Sequence, residues 1–410
     1  MARYRLGQQN NRQAYYERFD DAEFDRRYAA VRDLLEERDL EALVVYGDGG
    51  FHADMIGYLL DYRPPFATYL LVFADPDEPT TVLVGISNHV QYVRESSVAE
   101  DVDTMLPDPP GTVVDRLREA GVDGDRVGIS TGDPRYGLSV PHDHATRFEA
   151  DLEGELVDVT ADVTRLVSVT GPAEREVLTR SATLLDEAMT AFETALEPGV
   201  TERELAGVLA DACAKAGGAL GARFISSAPQ EGAGPGEPLP WKQPSSRTVE
   251  AGDVVTTEIS AGFRGYKTQI HRPYVVDSEP SREYADAFAV ARETYDGILD
   301  ALQPGNTARD VADAMTPLER SPYKNYDVLV HGYGSGYRHP FIGVEESNYW
   351  PGVEDPLTES WTFEPGQVIV VQPNVATPDE RVGLQFGTTV VIREDGPENL
   401  QSYPAEFRRV

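Results

Sequence analysis

Apolar positions along this chain follow two periods in turn. Over 21–38, DAEFDRRYAAVRDLLEER, the apolar residues Phe24, Tyr28, Val31, Leu34 and Leu35 recur at helical spacing. Short apolar runs follow at 42–47 (ALVVYG), 68–74 (TYLLVFA) and 80–85 (TTVLVG), each about as long as a buried strand. A helical pattern at 113–120 and a further run at 126–131 (RVGIST) continue the alternation. Together they predict a three-layer α/β domain over 21–167, behind a polar arm at 1–20. A long amphipathic helix over 175–197, with Pro172 near its first turn, opens a second domain over 168–410.

The second domain echoes itself. ALEPGVTERELA at 195–206 returns as ALQPGNTARDVA at 301–312, and EAGDVVTTEI at 250–259 returns as EPGQVIVVQP at 364–373. The first pair reads as a helix end, a Pro-Gly turn, a Thr N-cap and a new helix. The second pair reads as a turn and a strand. Two αβ halves related by a pseudo-two-fold axis follow, with Glu258 and Gln372 at equivalent places. A site at the centre of such a domain draws side chains from both halves. The Gly/Pro/Ser-rich stretch 226–246 predicts a loop, either covering a pocket or forming a surface insertion.

Composition adds a setting. Of 410 residues 40% are hydrophobic, enough for sizeable cores. Asp and Glu number 70 against 36 Lys and Arg, a net charge of −34, and the lysines are only Lys215, Lys242, Lys267 and Lys324. So little positive charge argues against nucleic acid and against an anionic membrane surface as partners. The acid-rich, lysine-poor bias matches proteins of molar salt, where a Debye length of about 3 Å screens self-repulsion; the bland alternative is a merely acidic protein. Cys213, the single cysteine, lies on a helical pattern and reads as a core residue of a reducing compartment. No secretory apolar segment or 18-residue apolar run is present, so a soluble, cytoplasmic protein is expected.

Several stretches carry a family likeness: LEPGVTERELA, PWKQPSSRTVEAGDVVTTEIS, GYKTQIHRPY, VHGYGSGYRHPF, FEPGQVIVVQPN and GLQFGTTVVIREDGPENL. In order and spacing they resemble the pita-bread family of aminopeptidase P, prolidase, methionine aminopeptidase and creatinase. The resemblance spans roughly residues 20–410. It implies an α/β chain, with a creatinase-like N-terminal domain ahead of a pseudo-two-fold pita-bread domain, and a homodimer. The metallopeptidases of that family hold two divalent cations with two Asp, one His and two Glu. The resemblance puts Glu258 and Gln269 at the aspartate places, His331 at the histidine place, and Gln372 and Gly387 at the glutamate places. Two glutamines and a glycine cannot neutralise a pair of dications, so the two-metal site is expected to be lost. Creatinase is the metal-free precedent, but its histidine place reads Trp241 and its acidic partner reads Gln372.

What remains is polar. Gln269 and His271 lie two apart on a strand and so share a face. The expected catalytic residues are His331, Glu258 and His271, with His331 or His271 as proton carrier. Arg338 is expected to hold a substrate carboxylate, and His339, Trp241, Gln372, Gln269 and His52 to contact substrate. Either no cofactor is used or one divalent metal ion is held by Glu258, His271 and His331; the bland reading of His271 is a strand histidine satisfied by a neighbour. His142 and His144 read as a surface turn, and His89 has no informative context. The residues therefore suggest a hydrolase-like protein for a small C–N-bonded substrate (amide, amidine or dipeptide) without the two-metal centre. The alternatives are a non-catalytic binding protein and an Xaa-Pro metalloaminopeptidase with a variant site.

Overall fold

The computed structural model describes residues 18–49, 54–122, 124–131, 140–231, 242–344 and 355–410. Two compact units divide the chain, Met1–Val167 and Ser168–Val410.

The first unit runs α1 (Asp21–Arg38), β1 (Ala42–Gly47), α2 (Asp54–Leu60), β2 (Thr68–Phe73), β3 (Thr81–Val84), α3 (Val90–Ser96), β4 (Asp101–Thr104), α4 (Pro109–Glu119), β5 (Val127–Ser130), α5 (His142–Asp151), β6 (Leu156–Asp158) and α6 (Thr160–Ser168). Its described strands form one sheet in the order β4-β3-β2-β1-β5-β6. Alternate strand residues feed two cores. Leu43, Val45, Leu70 and Val72 pack with α1 and α6 residues, while Val44, Leu71 and Ile129 pack with Val113, Leu117 and Phe148. Helices thus cover both faces, which is the three-layer arrangement. The helix expected at 113–120 starts earlier, because Asp108 accepts from the Gly111 N–H and two prolines fit its first turn. His142 and His144, expected in a turn, open α5 instead, and His144 Nδ1 lies 2.8 Å from the Tyr69 hydroxyl.

The second unit runs α7 (Pro172–Ala195), α8 (Glu202–Lys215), β7 (Ala219–Pro229), β8 (Asp253–Phe263), β9 (Tyr266–Val275), α9 (Arg282–Ala301), α10 (Ala308–Asp313), α11 (Thr316–Glu319), β10 (Val330–Gly332), β11 (Arg338–Ile342), α12 (Pro356–Glu359), β12 (Val368–Val371), β13 (Asn374–Ala376), β14 (Gly383–Gln385), β15 (Gly387–Arg393), β16 (Gly396–Asn399) and β17 (Arg408–Arg409). The main sheet has the order β11-β10-β12-β15-β9-β8-β7. The stretch expected to be a loop from 226 is strand to Pro229, because β7 pairs with β8 through that residue.

The echoed segments make the same joints. Thr201 and Thr307 cap their helices, and Glu204 and Asp310 return the bond to the cap N–H at 2.8 and 2.7 Å. Gly199 and Gly305 both take positive φ, and their N–H groups bond the carbonyls of Val249 and Phe363. Gly252 and Gly366 repeat this with Val276 and Ile392.

The cores fix which way the sheet faces. Val255, Ile259, Ala261 and Ile270 pack with α7 and α8, and Val330, Ile369, Val371 and Val390 pack with α9 and α10. Strand side chains alternate, so Glu258, Gln269, His271 and His331 belong to the opposite face.

Candidate active site

On that face one row crosses three strands. Glu258 of β8 pairs with His271 of β9, and His271 pairs with Gly387 of β15. Gln269 donates from Nε2 to Glu258 Oε1 at 2.7 Å. Its own N–H donates to Thr389 Oγ1 at 2.7 Å, and that hydroxyl donates back to the Gln269 carbonyl at 3.0 Å. This exchange clamps β9 to β15 where their pairing is short. Gln385, at the end of β14, turns its amide toward Glu258 without reaching hydrogen-bond geometry, and neither of its amide atoms has a partner.

Glu258 keeps partial solvent contact, yet burial pushes its carboxyl up to about 8. The nearby Asp327 carboxylate adds to the rise, and the Gln269 and Gln385 amides oppose it. Burial likewise pushes Asp327 up to about 6, against the Val328 N–H that donates to its Oδ1 at 2.7 Å. Two carboxyl groups thus share the site with unequal proton affinity. His271 is fully buried with both ring nitrogens unpartnered. Burial, then the nearby His331 and Arg272, hold it well below the usual histidine range, so it is neutral.

His331 Nδ1 lies 3.0 Å from the Gly332 carbonyl and Nε2 lies 3.3 Å from Gln372 Oε1. Gln372 Nε2 donates to the Val328 carbonyl at 3.0 Å, so its oxygen is the end turned to the ring. The Tyr337 ring packs against His331 with centroids 4.5 Å apart.

Position 387 has no room for a side chain. A Cβ there would stand 2.2 Å from the Val371 carbonyl oxygen and 3.0 Å from His271 Nδ1. Arg272 locks this arrangement: its Nη1 donates to the carbonyls of His271 and Gly387 at 2.7 and 2.6 Å, and its Nε to that of Pro404 at 2.7 Å. Burial brings Arg272 down to about 10, and it remains a cation at neutral pH.

Among the described residues no three His, Cys, Asp or Glu side chains are grouped to hold a metal ion. The three-ligand set expected of Glu258, His271 and His331 is therefore not formed. His331 Nε2 is turned to Gln372 instead, and Glu258 Oε1 is engaged by Gln269.

Arg338 and His339 follow a register shift between β10 and β11. The Arg338 guanidinium donates to Ser335 Oγ. His339 Nε2 lies 3.0 Å from Asp355 Oδ1, and the same oxygen accepts from Thr358 N–H at 2.9 Å, which ties β11 to the start of α12. Trp241 and His52 lie outside the described residues. Sequence reasoning missed Asp327 and Asp355. Nothing marks Asp327 among 70 acidic residues except its place four before His331. Asp355 carries a capping signal, DPLT, that points to structure. A groove lined by Arg203, Arg223, Gln243 and Pro244 shares no residue with this set.

Residues 176–394 match metallopeptidase family M24. The uncharacterized peptidase YqhT of Bacillus subtilis is 27% identical over 297 residues, 72% of this chain and 78% of that protein. The Xaa-Pro dipeptidase of Pyrococcus furiosus is 26% identical over 237 residues, 57% of this chain and 63% of that protein, so less than two thirds of that relative is spanned. The crystal structure of dipeptidase PepE from Mycobacterium ulcerans superposes with a TM-score of 0.76 at 22% identity, covering 96% of this chain and 100% of that one.

Proposed function

This chain belongs to metallopeptidase family M24 and has the pita-bread Xaa-Pro peptidase fold, and from that premise we propose that it hydrolyses a small C–N-bonded substrate without the family's two-metal centre. One observation carries the reading: the row that begins at Glu258 ends at Gly387, where backbone and His271 already fill the space a ligand side chain would need. The other places that would have to neutralise two dications are the amides of Gln269 and Gln372, which carry no charge. This residue set does not fit a pair of metal ions.

The two carboxyls support acid–base chemistry in its place. Asp327 is ionised above about 6, whereas Glu258 holds its proton to about 8. Between those values Asp327 takes a proton from the attacking water and Glu258 gives one to the leaving nitrogen. His331, held by Gln372, and neutral His271 line the reacting group, and Arg338 donates to a substrate carboxylate.

The test measures metal content and turnover together, on amide, amidine and Xaa-Pro dipeptide panels, in molar KCl with and without chelator. The expected result is chelator-resistant turnover. Two tightly bound metals per chain, with Xaa-Pro cleavage lost on chelation, would overturn the reading. A second reading, a non-catalytic binding protein, is favoured by the unpartnered amide of Gln385 and by His271. It predicts ligand binding with no turnover on any panel. The net charge of −34 supports a high-salt working environment, in which the melting temperature rises with KCl. A homodimer is the family-based expectation, checked by light scattering in the same buffer.

A further inference from the structure

The polar atoms left over at this site are mostly acceptors. Gln269 (3% exposed) has an unpartnered Oε1, Gln385 (1%) has both amide atoms unpartnered, and His271 (0%) has both ring nitrogens unpartnered. Glu258 uses one oxygen on Gln269, and Asp327 uses one on the Val328 N–H. A cation seated beside Glu258 favours its ionised form over the protonated one that it keeps to about 8 when the seat is empty. With both carboxyls then ionised, the open acceptors are Gln269 Oε1, Gln385 Oε1, one His271 nitrogen and the second oxygens of Glu258 and Asp327. The open donors are Gln385 Nε2 and the single N–H of neutral His271. Buried polar atoms left without partners each cost about 1–3 kcal/mol, so five clustered in one place mark a site whose occupant completes them.

Charge points the same way. The Asp327 carboxylate raises the electrostatic cost of ionising Glu258, burial raises that of both, and no arginine or lysine pairs with either among the described residues. Arg272, a buried cation beside His271, is spent on main-chain carbonyls. The missing partner is positive and rich in N–H donors. It is not a metal held by three ligands, since no such group exists among the described residues.

Resting on the reading of this site as a small-molecule site, we propose that it binds an organic cation with several N–H donors, seated between Glu258 and Asp327 with the amide oxygens of Gln269 and Gln385 as further acceptors. The partly exposed carboxylates form its mouth and the buried amides and His271 its floor. A neutral isostere of the same shape lacks the charge and at least one donor, so the site discriminates by charge before shape.

The experiment is calorimetric titration of the full chain, in molar KCl with chelator, against methylguanidinium and methylammonium, with methylurea and acetamide as neutral counterparts. The expected result is that at least one cation binds at least about tenfold more tightly than its neutral counterpart. Asp327→Asn should remove that preference while the melting temperature stays within a few degrees. Gln385→Glu, which adds a charge beside the same seat, should tighten the cation, and this gain cannot arise from misfolding. Equal or tighter binding of the neutral probes, no binding of any probe, or a preference untouched by both variants would overturn the proposal. So would displacement of a bound cation by stoichiometric Mn²⁺ or Zn²⁺ when chelator is left out. Binding is read without turnover. Cation binding with no hydrolysis therefore sinks the hydrolase reading alone, and hydrolysis without charge preference sinks this one alone.

Discussion

The two halves of the second unit share a frame and differ at its centre. In each half a Thr cap, a positive-φ glycine after proline and a second positive-φ glycine before a strand make matching hydrogen bonds. Thr201 bridges Thr248 and Thr307 bridges Thr362, both antiparallel. Yet the equivalent positions 258 and 372 carry an acid and an amide. Gln372 uses both ends of its amide, on His331 and the Val328 carbonyl, whereas Glu258 has one hydrogen-bonded amide donor and, among the described residues, no cationic partner. The joints obey local backbone geometry, which is the same problem twice. The central residues answer to the side chains around them, Gln269, Gln385 and Asp327 for Glu258 and His331 for Gln372, and those differ.

Making the halves alike at the centre should have the largest effect. Glu258→Gln removes the proton donor while keeping the shape and the bond from Gln269. Turnover should fall by roughly 10³-fold, about 4 kcal/mol, with no loss of melting temperature. A kcat within tenfold of the parent would show that the asymmetry is not catalytic.

Position 387 tests whether the second half can be returned to a side chain. Gly387→Ala places a Cβ against the Val371 carbonyl and should destabilise by about 2–3 kcal/mol in chemical denaturation. A neutral result would mean that β15 shifts freely and that the space is not closed.

The pH dependence of stability sharpens the contrast between acid and amide. Glu258 has a folded value of about 8 against an ordinary value of 4.5, so the folded state binds its proton more tightly than the unfolded state does. Stability from this group is fully present below about 4.5 and is lost as pH rises toward 8. The expected loss is roughly 2 kcal/mol, discounted because the carboxyl retains solvent contact. Melts at fixed molar salt should show a slope between about pH 6, where Asp327 has titrated, and about pH 8 that Glu258→Gln removes.

The smallest effect tests the shared frame. Thr201→Ala and Thr307→Ala should each cost about 1 kcal/mol, and nearly the same amount. Denaturation midpoints that differ by the equivalent of more than about 1 kcal/mol between them would break the parallel.

The sequence alone determined what depends on neighbours within a few residues. The helix at Asp21–Arg38, the strand at Ala42–Gly47 and the paired Thr caps follow from period, capping and turn chemistry that the chain carries locally. It also shows Gln269, Gln372 and Gly387 directly, at the places where the resemblance to the pita-bread family implies carboxylates. Tertiary structure decided what these positions face. It set His271 in the space beside Gly387, brought Asp327 to Glu258 across 69 positions of sequence, and turned His331 to an amide rather than toward a metal set. Proton affinity, free hydrogen-bond capacity and room for a side chain depend on residues distant in sequence, and the folded sheet alone brings those together.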